Sequence, residues 1–138
     1  MPVLFLVACG LGVLFATGHF FGFLAARHAA RTDPALADLT RAMRAHVTPL
    51  AGFRPSILDF REYFSAAFSP MLLAVVALAL LAVWFAGDRA AAVRAVSVAC
   101  AALMIVLLGL SVVYHVFQGI VSCGLIALLF AASALWSR

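Results

Sequence analysis

A handful of polar side chains stand in stretches that are otherwise apolar, and any chemistry in this chain would fall to them. They are His19, Glu62, Ser65, Ser69, His115 and Gln118, with Tyr63 and Tyr114 beside them. Burying an ionisable group at membrane depth is costly, so such a group is a functional hypothesis by default. At helical spacing, His19 shares a face with Ala8, Gly12, Ala16, Gly22 and Ala26, a stripe of small residues that lets helices approach closely. Ser97, Met104, Ser111 and Gln118 recur every seven residues with His115 alongside, and Glu62, Ser65 and Ser69 fall on one face of another helix. The spacing therefore predicts that His19 and His115 both point inward, toward one polar pocket rimmed by Tyr63 and Tyr114. Two imidazoles on different helices suit a haem iron or another metal, in which case His19 and His115 are the ligands. A His with a carboxylate and hydroxyls suits a quinone or a lipid headgroup instead. The competing structural reading is that each His hydrogen-bonds a neighbouring helix and fixes its packing.

The composition says what must hold such residues in place. Of the 138 residues 67% are apolar and 10% charged, with a mean hydropathy of +1.20, against about 45–50% and about 25% in an ordinary soluble domain. The polar residues are too few to cover a water-facing surface, so lipid is the expected solvent for most of the chain. All nine basic residues are Arg, and the formal charge of +4 is dispersed, which excludes nucleic acid as an expected partner and favours anionic lipid headgroups. A chain rich in Ala and Arg but lacking Lys and Asn suggests a GC-rich bacterial genome, hence a bacterial inner membrane. Cys9, Cys100 and Cys123 stand singly in apolar runs with no CxxC, as small hydrophobes do.

Length and punctuation divide the chain into four spans, at about residues 3–26, 62–86, 92–115 and 119–136, with a polar loop over 27–61. The first run, Val3 to Ala26, has 24 residues and no charge. It lacks a basic leader and a cleavage site, so it is expected to be retained as a span. In the loop, Asp33 is placed to cap a helix and Pro34 suits its first position. Leu36, Leu39, Met43 and Val47 then mark a short amphipathic helix at the membrane interface. Gly52 and Arg54-Pro55 signal a turn, and Ser56-Ile57-Leu58-Asp59 resembles a capping box opening the second span. Pro70 inside that span predicts a kink, and Asp88 is placed to cap the next helix. From Ala95 to Trp136 the chain runs 42 residues without an acid, Lys or Arg. A single helix of that length would be about 63 Å long, twice the membrane, so it must fold back at Tyr114–Gly119. Trp136 and Arg138 are the expected anchors at its far end. The expected architecture is an all-α, integral membrane four-helix bundle with a short amphipathic interfacial helix between spans 1 and 2.

The loop carries six Arg and the opposite side three, so the first loop is expected in the cytoplasm and both termini outside. The Gly18-His19 pair and the run Arg54-Pro55-Ser56-Ile57-Leu58-Asp59-Phe60 are similar to those of small uncharacterised bacterial four-helix membrane proteins; the resemblance implies the bundle and no activity. There is no HExxH, no GxSxG, no glycine-rich phosphate loop and no acidic pair for two metals. The expected function is therefore that of a small non-enzymatic membrane protein, an accessory or self-associating subunit of a larger membrane complex or homo-oligomer. The alternative is a binder of, or enzyme on, a membrane-soluble small molecule (quinone, lipid or haem) at a polar pocket near the first-loop side.

Overall fold

A computed structural model describes residues 3–49 and 51–137. The chain is all-α there, with five helices: α1 (Val3–Thr32), α2 (Pro34–Ala45), α3 (Ile57–Phe85), α4 (Arg89–Val113) and α5 (Phe117–Trp136). All but α2 are long and apolar enough to cross a membrane. Local signals set the helix starts. The Asp33 carboxylate accepts from the Ala35 N–H at 2.9 Å with Pro34 in the first turn, and Asp88 accepts from the Ala91 N–H at 3.0 Å. At α3 the Asp59 carboxylate accepts from both the Ser56 N–H (2.8 Å) and its hydroxyl (2.7 Å), while the Asp59 N–H donates to Ser56 Oγ (3.2 Å). That reciprocal arrangement is a capping box with Asp in the usual Glu position.

Two helices outlast their apolar runs. α1 continues past Ala26 through Arg27 and Arg31 to Thr32, because Ala and Arg propagate a helix and nothing before Asp33-Pro34 stops it. α3 starts at Ile57, ahead of the apolar stretch, because the capping box lies there. The segment 27–61 is thus largely helical. Arg138, expected as an anchor, lies outside the described residues.

By internal contacts the chain forms two compact units. One is Ala16–Leu72; the other comprises the described residues 3–15 and 73–137. In the first, Ala16, Leu58, Ser69 and Leu72 are buried. None of the residues of α2 is buried, and its apolar Leu36 and Leu39 stay partly exposed, as an interfacial helix requires. α2 and α3 are joined by a short antiparallel pairing: Thr48 N–H donates to the Pro55 carbonyl at 2.9 Å and Ile57 N–H to the His46 carbonyl at 3.0 Å. Ala51 and Gly52 turn the chain with φ of 48° and 86°, the left-handed pair of a tight hairpin.

The second unit is a helical bundle built on the α4–α5 hairpin. Ser97 donates to Ser133 at 3.2 Å, both fully buried, and Arg94 ties the far end to the Ser137 carbonyl at 2.9 Å. The Phe5 ring of α1 meets Phe130 edge-on at 6.0 Å. The chain folds back within Tyr114–Gly119, but one residue of the turn departs from the sequence reading. α4 ends at Val113, and His115, expected on its inward face, is an exposed residue of the turn with φ of 55°. Its N–H donates to the Val112 carbonyl (3.2 Å) and the Val116 N–H to the Ser111 carbonyl (2.8 Å). That pair of bonds is a Schellman motif, in which glycine commonly takes the left-handed position that His115 holds. His115→Gly should therefore leave hairpin stability unchanged or raise it by up to about 1 kcal/mol. Thermal unfolding of the purified variant in detergent checks this, and a clear loss would refute the turn role.

Candidate functional site

The first unit contains a cleft of about 550 Å³ lined by the last turns of α1, by α2 and by the first turns of α3. Its charged lining is Arg27, Arg31, Arg41, Arg44, Arg61 and Glu62, over a smaller set that includes Thr40 and the buried Leu58. Each Arg is positioned by a feature already described. The overrun of α1 puts Arg27 and Arg31 one turn apart on one helix face. The Asp33 cap starts α2 so that Arg41 and Arg44 fall in its last turns. The capping box starts α3 early enough for Arg61 and Glu62 to be helical.

The charges in this lining are unbalanced. Arg27 Nε lies 3.5 Å from Glu62 Oε1, with both side chains partly exposed, and the Arg27 guanidinium also sits over the Phe23 ring at 5.6 Å. Arg41 pairs with Asp38 one turn back on α2. Arg31, Arg44 and Arg61, one from each helix, make no ion pair and no side-chain hydrogen bond among the described residues. Asp59 acts on Arg44 electrostatically, but its carboxylate is already accepting from Ser56. Guanidinium groups gathered on one cleft repel one another, and an anion seated among them relieves that repulsion while taking paired hydrogen bonds.

Of the residues singled out from sequence, Glu62 alone is in this lining. Tyr63 is exposed and stacks edge-on with Phe64 at 5.5 Å. His19 and Ser69 are deeper in the same unit. The His19 ring lies against Phe68 at 4.7 Å, and His19 Nε2 and Ser69 Oγ are buried with no hydrogen-bond partner among the described residues. Ser65 is half-buried on the same face of α3. Tyr114, His115 and Gln118 belong to the other unit, where all three are exposed at the α4–α5 turn. No group of three His, Cys, Asp or Glu side chains able to hold a metal occurs among the described residues.

The five arginines were legible only as a topology signal, because nothing in their spacing announces that segments 27–31, 41–44 and 61–62 converge. One clue was available: the run Ala25-Ala26-Arg27-His28-Ala29-Ala30-Arg31 is a good helix former, so the basic residues belong to a helix end and not to a loop. Comparison with known protein families, with curated proteins and with solved structures finds no match to this chain.

Proposed function

We propose that this chain is a small, non-enzymatic integral membrane protein of a bacterial inner membrane that holds an acidic, membrane-soluble ligand at its first-loop side. The observation that carries the reading is the cleft whose lining holds five arginines and a single acidic residue, Glu62. Its Arg residues lie beyond the apolar parts of α1 and α3, so helices that cross the hydrocarbon set them at headgroup depth. The ligand's apolar body stays in lipid and its acidic group enters the cleft. This favours lipid over quinone, which carries no charge for the arginines to meet.

A second reading, self-association or docking on a larger membrane complex, has support from α1. Gly18 and Gly22 are one turn apart and exposed, and a Cβ at either would meet nothing within 4 Å, so a GxxxG face is open for a second helix. One experiment addresses both readings. Native mass spectrometry of protein purified in mild detergent should show an acidic lipid retained at near-stoichiometric amounts. A lipid-free spectrum would refute the binding reading, and a lone monomer with no co-purifying protein would refute the second.

The orientation that goes with this function has the first loop in the cytoplasm and both termini outside. A Cys introduced at the exposed Ala35 should resist an impermeant thiol reagent in intact cells and react after lysis. Labelling of intact cells would reverse the orientation.

A further inference from the structure

We propose that the group seated in the cleft is a phosphomonoester at the headgroup end of a membrane lipid, an inference that rests on the ligand-binding reading above. Its basis is the set of arginines that make no ion pair among the described residues, of which Arg44 alone feels a carboxylate, that of Asp59, already accepting from Ser56. Arg31 comes from α1, Arg44 from α2 and Arg61 from α3, and all three line one cleft. Arg27 and Arg41 already have carboxylates, Glu62 and Asp38. Three guanidinium groups approaching from three helices call for an anion with acceptors on three sides.

A carboxylate is planar, with two oxygens and one charge, and is saturated by one or two Arg forks. A phosphodiester likewise offers two free oxygens and one charge. A phosphomonoester has three terminal oxygens and about −1.5 to −2 charges at neutral pH, one acceptor for each Arg. The topology rule accounts for the number of basic residues on this side but not for their meeting on one cleft. Arg is also the side chain whose fixed fork matches phosphate geometry, and every basic residue in this chain is Arg.

The Glu62 carboxylate gives the proposal a distinctive signature. It is the one acid in the lining and occupies Arg27, so it opposes an incoming dianion. Neutralising it removes that repulsion and releases a fourth guanidinium.

The test is a titration of the detergent-purified full chain, read by native mass spectrometry, with phosphatidic acid, phosphatidylglycerol, oleate and inorganic phosphate as separate probes. Phosphatidic acid should bind at least about tenfold more tightly than phosphatidylglycerol or oleate, and Glu62→Gln should tighten it by roughly fivefold. Equal binding of phosphatidic acid, phosphatidylglycerol and oleate would overturn the phosphomonoester assignment and leave the acidic-ligand reading standing. Inorganic phosphate binding as tightly as phosphatidic acid would make the free ion the ligand and overturn the lipid assignment. Failure of every acidic lipid would overturn the ligand-binding reading itself. Weaker binding by a Glu62→Gln variant of unchanged thermal stability would overturn the charge argument. The wild-type lipid series decides the matter even if that variant does not fold.

Discussion

Gly119→Val is expected to unfold much of the α4–α5 hairpin. Gly119 is buried in the first turn of α5, and a Cβ added there would collide with Ser111 Oγ and lie 3.0 Å from Ser111 Cβ. The hydroxyl is able to rotate away only by giving up its bond to the Leu107 carbonyl at 2.8 Å. The Ser111 Cβ is fixed to its helix and is not able to move alone. Overpacking of this kind costs about 1–3 kcal/mol for a single methyl, and the branched Val side chain belongs at or above the upper end. The smaller change, Gly119→Ala, should cost about 2 kcal/mol and be largely rescued by Ser111→Gly, which removes both clashing atoms. A double-mutant cycle on thermal unfolding in detergent measures that coupling. Additive losses would show that the close approach at Gly119 is not what holds the turn.

Joint replacement of Arg31, Arg44 and Arg61 by Gln is expected to strip the cleft of its ligand. A basic side chain near an anionic membrane surface contributes about 1 kcal/mol, so three together weaken binding by about 3 kcal/mol, on the order of a hundredfold. All three residues are exposed and make no ion pair among the described residues. Surface changes of that kind usually alter stability by no more than about 0.5 kcal/mol each. Lipid retained by the variant, extracted and quantified beside wild type at matched stability, is the measurement. Undiminished retention would mean that the acidic ligand sits elsewhere or does not exist.

These two sites differ in how far the sequence announced them. The four membrane-length helices were legible because the run lengths and the 42-residue stretch to Trp136 leave few other ways to thread a bilayer. The caps at Asp33, Ser56–Asp59 and Asp88 were legible because each depends on residues only two or three apart. The role of His115 was not. Spacing placed it on a helix face, whereas the helix ends two residues earlier and the residue takes a left-handed backbone that His seldom marks in sequence. The cleft was hidden for a different reason. Its arginines come from three separate helices, and their meeting depends on where α1 stops and α3 begins. Glu62 lines that cleft beside five arginines, a company that its spacing with Ser65 and Ser69 along α3 does not announce.

The burial of the three free cysteines has a practical consequence. Cys9, Cys100 and Cys123 are 3%, 7% and 2% exposed, so each is buried where a water-borne reagent does not reach it. The native chain is therefore its own silent background for thiol chemistry, and none of the three need be replaced before a new Cys is introduced. That matters because removing small buried side chains alters packing. A series of single Cys substitutions along 27–61 then becomes a depth gauge, each position reporting only its own access to water on each side of the membrane.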